Sequence, residues 1–229
     1  MNLTISQIKK KSLATLKGKW GLAVALTLIV FLITTFVPTI VEILLSGGFS
    51  QWFNQTETPV IADMVNLLIS FLFIPLTVAS YWFYLSIARW NDPKISDVFA
   101  VYKEWELSLK LIGTSILVGI FTMLWALLLI IPGIIKGLSY SQVFFLLRDN
   151  PELSALEAIT ESKVRMKGYK WKYFLMNLSF IGWAFIAIFT FGIGFLWLTP
   201  YISTANATFY NELIAPQGHE EPESTDLES

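Results

Sequence analysis

The chain has 229 residues, of which 55% are hydrophobic and only 14% charged, and its mean hydropathy is +0.60. Soluble domains carry about a quarter charged residues, so this composition excludes an ordinary water-soluble fold and points to a polytopic membrane protein. Its net charge of −1, from 16 basic and 17 acidic residues, offers no global field for nucleic acid, and the absence of cysteine removes disulfides, thiolate metal sites and thiol nucleophiles.

In chain order, the first expected element is an amphipathic surface helix. Thr4-Ile5-Ser6-Gln7 has the spacing of a capping box, and Ile5, Ile8, Ser12 and Leu16 fall on one side with lysines elsewhere. Trp20 to Val41 then gives 22 uncharged residues. A cleavable apolar region has only about 7 to 15, so this stretch reads as a first span over 20–45. The outer loop from Ser46 to Asp63 holds Glu57 and Asp63 without any Lys or Arg, and a second span covers 64–88. A second surface helix opens at Ser96-Asp97 after Pro93, with Phe99, Tyr102 and Leu109 near one face.

Between Leu111 and Leu147 run 37 residues with Lys136 as the only charge, flanked by Lys and Arg on both sides. Basic flanks resist translocation, so the segment goes out and comes back, turning at Pro132 and Gly133 into spans over 111–131 and 133–148. The second of these reaches only about 24 Å at 1.5 Å per residue, which leaves full crossing and a re-entrant course both open. A third surface helix follows, capped by Asn150, Pro151 and Glu152 and closed by Lys163, Arg165, Lys167 and Gly168. Leu156, Ile159 and Met166, with small Ala155 and Ser162, form its apolar side. The last apolar stretch, Tyr173 to Asn211, turns at Gly192 and Gly194 into spans over 173–191 and 195–213. The expected fold is therefore an all-α, polytopic transmembrane helical bundle. It has about six spans arranged as three hairpins, each preceded by a cytoplasmic amphipathic helix. An integral membrane domain over 1–213 is followed by a disordered acidic cytoplasmic tail over 214–229.

Charge distribution orients this map. Lys9, Lys10, Lys11, Lys17 and Lys19; Arg89, Lys94, Lys103 and Lys110; and Arg148, Lys163, Arg165, Lys167, Lys170 and Lys172 all fall on the inner side. Only Lys136 is assigned to the outer side, snorkelling to headgroups near the turn. The three surface helices also finish alike. Leu16-Lys17-Gly18-Lys19-Trp20 parallels Met166-Lys167-Gly168-Tyr169-Lys170-Trp171, and Tyr102-Lys103-Glu104-Trp105 is a weaker copy. Lys17, Trp20, Trp105, Lys167 and Trp171 read as membrane-interface anchors. An internal threefold repeat explains this pattern, and so does independent selection of Lys, Gly and Trp at any inner-leaflet boundary.

Candidate chemistry is sparse. No span carries a midplane Asp or Glu, and Glu42 and Lys136 lie near span ends where water is within reach. Tyr140, Gln142, Asn177, Tyr201 and Asn206 are neutral polar residues suited either to a polar pathway or to interhelical hydrogen bonds. Gly133-x-x-x-Gly137 and Ser203-x-x-x-Ala207 have close-packing spacing, and Pro200 suits a kink. No phosphate loop, metalloprotease motif or Ser-His-Asp set is present, and His219, the one histidine, sits in the tail. Asn54-Gln55-Thr56 fits a glycosylation acceptor by pattern alone. The expectation is a protein that is not an enzyme and that needs no cofactor or metal.

A denser pattern occupies the second half. Ile130-Ile131-Pro132-Gly133-Ile134-Ile135-Lys136, Tyr140-Ser141, Asp149-Asn150-Pro151-Glu152-Leu153-Ser154-Ala155, Met166-Lys167-Gly168, Leu178-Ser179-Phe180-Ile181-Gly182-Trp183, Gly192-Ile193-Gly194, Pro200-Tyr201 and Phe209-Tyr210 together resemble the bacterial integral membrane family called domain of unknown function 975. The resemblance covers most of Lys17 to Leu213. It implies a protein of the bacterial plasma membrane and no reaction, while the charge distribution makes the chain multi-pass with both termini cytoplasmic. The leading functional expectation is a membrane-organising, lipid-interacting or envelope-stress accessory protein. Its partners are the lipid bilayer, above all anionic inner-leaflet lipids, and a membrane-protein partner or a second copy, with no nucleic acid. The alternative is a passive channel or exporter component with a polar path between spans four to six.

Overall fold

The computed structural model describes residues 3–55 and 57–215, so Thr56, His219 and nearly all of the acidic tail lie outside the described residues. Within them the chain is helical and has no strand. In order, the helices are α1 (Ile5–Leu16), α2 (Trp20–Leu45), α3 (Phe49–Asn54), α4 (Val60–Ala88), α5 (Ile95–Phe99), α6 (Trp105–Leu128), α7 (Ile130–Tyr140), α8 (Val143–Asp149), α9 (Ala155–Arg165), α10 (Lys170–Leu178), α11 (Ile181–Phe189) and α12 (Phe195–Phe209). A 3-10 turn, Ala100–Lys103, follows α5, and a π-helical turn, Tyr210–Ile214, follows α12.

Five runs are long and apolar enough to cross a membrane: Trp20–Leu45, Val60–Ala88, Trp105–Leu128, Ile130–Asp149 and Lys170–Phe189. The expected sixth, α12, is a helix of only 15 residues that the π-helical turn extends. Two of the five runs are interrupted, at Ser141 and Gln142 between α7 and α8 and at Ser179 and Phe180 between α10 and α11. Interrupted helices at membrane depth persist only where other groups satisfy the freed backbone.

Burial divides the molecule into a belt and a cap. On α2, exposed apolar side chains run from Leu28 through Phe31, Phe36 and Ile40 to Leu45. That is about 27 Å of helix at 1.5 Å per residue, close to a hydrocarbon core of about 30 Å. Leu68 and Leu72 on α4, Met123 and Leu127 on α6, Ile131 on α7 and Phe185 and Phe189 on α11 continue the belt. The closed core lies elsewhere, on the C-terminal half of α4 from Leu76 to Ala88, on α8, and on α12 and the π-helical turn from Leu198 to Ile214, with α1, α5 and α9 packed around it.

The three surface helices are copies, and they close a ring. α1 and α9 correspond at one constant spacing: capping boxes at Thr4 with Gln7 and at Ser154 with Glu157, buried Ile8 and Ala158, buried Ser12 and Ser162, buried Leu16 and Met166, and left-handed Gly18 (φ +82°) and Gly168 (φ +88°). α5 is the abbreviated copy, with the Lys94 N–H donating to Asp97 Oδ2 at 2.8 Å and Val98 buried. Each surface element docks a hydroxyl on a long helix of the preceding unit. Tyr102 donates to the Leu72 carbonyl on α4 at 2.7 Å, Ser162 donates to the Ser139 carbonyl on α7 at 2.7 Å, and Ser12 meets Thr208 Oγ1 on α12 at 3.1 Å, closing the circle.

Several expected boundaries move. The turn of the second hairpin is the extended Leu129, not Pro132 and Gly133. Pro132 sits in the first turn of α7, where the missing N–H is an orphan anyway. Gly133 is spent on packing instead, since a Cβ there would stand 2.7 Å from Ala126 Cα. Gly194 repeats this at the third hairpin, 2.8 Å from Ala187 Cα, while Gly192 (φ +85°) makes the turn itself. α5 begins at Ile95, one residue before the expected opening, because Lys94 supplies the capping N–H; it ends by Phe99, so Leu109 belongs to α6. α9 is capped by Ser154 rather than Asn150, whose side chain donates to the Leu146 carbonyl and closes α8.

Candidate functional site

Three helices end in one polar cluster. Arg89 at the end of α4 makes a two-pronged ion pair with Asp149 at the end of α8, Nη1 to Oδ1 at 2.8 Å and Nη2 to Oδ2 at 2.6 Å. Arg89 Nε also donates to Asn211 Oδ1 at 2.9 Å, and the Tyr210 hydroxyl donates to Asp149 Oδ2 at 2.8 Å. Arg89, Asp149 and Tyr210 hold corresponding places in the three units, so the cluster sits where their second helices finish. Hydrogen bonding to Asp149 raises the Arg89 pKa above its ordinary value, and burial with the adjacent carboxylate pushes the Tyr210 phenol up. Lys11 adds an ion pair to Glu212 at 2.7 Å, fastening α1 to the same place.

A second polar region surrounds the α7–α8 interruption. Ser162 Oγ accepts the Gln142 N–H at 3.3 Å while donating to Ser139 O, so one side chain from α9 satisfies both backbone groups freed by the break. Gln142 is fully buried and donates through Nε2 to Ser141 Oγ at 2.8 Å. The Tyr173 side chain lies beside Ser141, Asn177 and Gln142. Next to these groups is a cavity of about 250 Å³ lined by Tyr81, Tyr140, Ser141, Tyr173, Ser203 and Asn206 together with Val118, Gly137, Phe144 and Phe145.

At the other break, Lys9 of α1 donates to Ser179 Oγ at 3.0 Å and sits 4.1 Å from the Phe180 ring centroid. Burial pulls the Lys9 pKa below its ordinary value. The ammonium lies at the C-terminal end of α10, where the helix dipole favours positive charge.

Of the five polar-pathway candidates, Tyr140 and Asn206 line the cavity, and Gln142 and Asn177 reach its edge through Tyr173. Tyr201 is elsewhere, edge-on to Phe180 with ring centroids 5.0 Å apart. Sequence reasoning missed Tyr81 and Tyr173 on the cavity, Ser162 at the break, and the Arg89 cluster. The signal for Ser162 was its match with Ser12 in the repeat. Among the anchors, Lys17, Trp105, Lys167 and Trp171 are exposed and Trp20 is half-buried.

One expectation about the surface helices changes. The apolar faces of α1 and α9, through Ile8, Leu16, Ile159 and Met166, are buried in the protein core rather than left for lipid, because α1 packs on α12 and α9 packs on α8. Lys136 of α7 packs against α6. Its ammonium lies 4.2 Å from the Trp125 ring centroid, and its charge, with that of Lys163, acts on Lys170, so three helices gather these lysines in one place. Among the described residues, no group of three or more His, Asp or Glu is placed to hold a metal ion.

No curated protein and no solved structure matches the chain. The family described as "Protein of unknown function (DUF975)" matches over residues 1–136 and 127–217. Nearly the whole described chain is thereby covered, and the protein belongs to the DUF975 family.

Proposed function

We propose that this is a multi-pass protein of the bacterial plasma membrane that organises or senses lipid, without enzymatic activity, as an envelope-stress accessory subunit. Its basic cap and both termini face the cytoplasm. The observation that carries this reading is the gathering of Lys136, Lys163 and Lys170 from α7, α9 and α10, beside the exposed Lys167 and Trp171. Such a cluster at the edge of an apolar belt matches anionic headgroups, each basic side chain near the surface contributing about 1 kcal/mol. Since the apolar faces of α1 and α9 are consumed by packing, the attraction is electrostatic rather than insertional. The channel alternative has less support, because Tyr201 lies away from the cavity that Tyr140 and Asn206 share.

The test uses full-length protein reconstituted in vesicles of mixed phosphatidylglycerol and phosphatidylcholine, extracted, and analysed for co-purifying lipid. Enrichment of the anionic lipid, lost in the Lys136→Gln, Lys163→Gln, Lys170→Gln variant, is the expected result. Equal recovery of both lipids by the wild-type protein contradicts the reading.

A further inference from the structure

The cavity between α4, α6, α7, α8, α10 and α12 has a composition that the basic cap does not explain. Its lining holds no Asp, Glu, Lys, Arg or His, so nothing in its wall compensates a charged ligand. Yet among the described residues the side-chain polar groups of Tyr81, Tyr140, Ser203 and Asn206 have no hydrogen-bonding partner, and the Asn206 Oδ1 atom is fully buried as well. Other hydroxyls in the apolar helices, such as Thr34, Ser70 and Thr77, are spent on the carbonyl one turn back. Four unspent hydrogen-bonding side chains facing one space among apolar helices are costly unless something fills it.

The walls narrow the chemistry. Tyr81, Tyr140, Phe144, Phe145 and Tyr173 give the cavity aromatic sides between its polar edges, and about 250 Å³ is room for about eight waters at about 30 Å³ each, or for one sugar-sized ring. A ring with apolar faces and hydroxyl edges satisfies both kinds of surface, as an apolar pocket with a few convergent polar groups does for its ligand. Tyr81 and Phe144 are also shared with a neighbouring groove of about 360 Å³ lined by Pro38, Phe73 and Ile74. That groove, whose threonine hydroxyls are already spent, suits an alkyl chain.

We propose that this cavity binds a neutral polyhydroxylated ring, such as a hexosyl group, with the adjoining groove taking the acyl chain when the ring belongs to a lipid. Asn206 and Tyr140 hydrogen-bond the ring hydroxyls, Ser203 assists, and Tyr81 and Phe144 mark the passage from headgroup to chain. The site is independent of the lysine cluster, and its test is separable from that reading.

Full-length protein, purified in a detergent without a sugar head, is titrated with monoglucosyl-diacylglycerol, diacylglycerol of the same chains, phosphatidylglycerol and free glucose, with retention read by native mass spectrometry. The expected result is retention of the glucosyl lipid at least tenfold tighter than diacylglycerol. Tyr140→Phe and Asn206→Leu each reduce it at least tenfold without lowering the melting temperature of the ligand-free protein. Competition by free glucose supports recognition of the ring alone; competition only by the glucosyl lipid supports the ring and groove together. Retention of no probe, or retention of diacylglycerol or phosphatidylglycerol equal to the glucosyl lipid, overturns the proposal, as does unchanged binding by both variants.

Discussion

Arg89 and Asp149 face each other as a two-pronged ion pair, at 2.8 and 2.6 Å, from corresponding positions at the ends of two different helical units. The side chains are 32% and 24% exposed, so water screens the pair only partly. Tyr210, from the third unit, completes it with a hydrogen bond to the same carboxylate. Replacing one partner leaves the other's hydrogen bonds unmade, which costs about 1 to 3 kcal/mol for groups of this kind. Asp149→Asn is therefore expected to lower the melting temperature in detergent, and Arg89→Met with Asp149→Leu to recover part of the loss. A melting curve for Asp149→Asn that overlays the wild type would show that the cluster does not hold the cap together.

Ser162 and Ser12 are equivalent in sequence but unequal in task. Ser162 satisfies two backbone groups across the α7–α8 break, whereas Ser12 meets a single side-chain hydroxyl on α12. Ser162→Ala exposes an unmet carbonyl and an unmet N–H in the interior, costing about 2 to 4 kcal/mol from two groups at about 1 to 3 each with partial relaxation. Ser12→Ala costs about 1 kcal/mol. Denaturation of the two variants side by side checks the order, and the reverse order would refute the role given to Ser162.

Two glycines separate strain from space. Gly168 has φ +88° with nothing near its missing side chain, so Gly168→Ala is penalised only by the left-handed backbone, about 1 to 2 kcal/mol. Gly133 has ordinary helical torsion but would place a Cβ 2.7 Å from the Ala126 backbone, so Gly133→Ala must force α6 and α7 apart. That overpacking costs about 1 to 3 kcal/mol or more. It also changes the hairpin's geometry, which a crosslink between cysteines at Ala126 and Ile134 reports: the yield falls for Gly133→Ala and stays for Gly168→Ala.

The capping box at α9 carries a pH signature. Hydrogen bonds from the Ser154 backbone and side chain hold the Glu157 carboxyl below its ordinary value of 4.5. A depressed acid stabilises the folded form above its unfolded pKa and loses that contribution as pH falls through the folded value. Wild type is expected to exceed Glu157→Gln in thermal stability at pH 7, with the gap closing below about pH 4.5. A gap that stays constant down to pH 3 would remove the ionised carboxylate from the cap.

Much of this architecture was legible from the residues, and the failures have physical causes. The apolar runs, the Gly192 turn and the Lys-Gly-aromatic endings were readable because each depends on local chemistry: hydropathy, a left-handed backbone, and an interface. The turn at Leu129 was not, since Pro132-Gly133 is turn-like in isolation and only the close approach of Ala126 explains that glycine. Nor was the use of the apolar sides of α1 and α9, because periodicity shows that a face is apolar without showing whether lipid or protein covers it. Arg89, Asp149 and Tyr210 meet from distant parts of the chain, and no spacing rule joins them. The cavity was half visible: Tyr140 and Asn206 stood out as polar groups in apolar stretches, while Tyr81 and Tyr173 were hidden in aromatic-rich runs that read as core.

Side-specific labelling tests the account most directly, because the proposed function places the basic cap at the cytoplasmic end of the belt. The chain has no cysteine, so single cysteines at Gln55, Lys136, Lys163 and Ile193 can be probed in intact cells with an impermeant maleimide. Labelling at Gln55 and Ile193, with Lys136 and Lys163 protected until the membrane is opened, is the predicted result. Labelling of Lys163 from outside, together with Gln55, would contradict the one-sided basic cap.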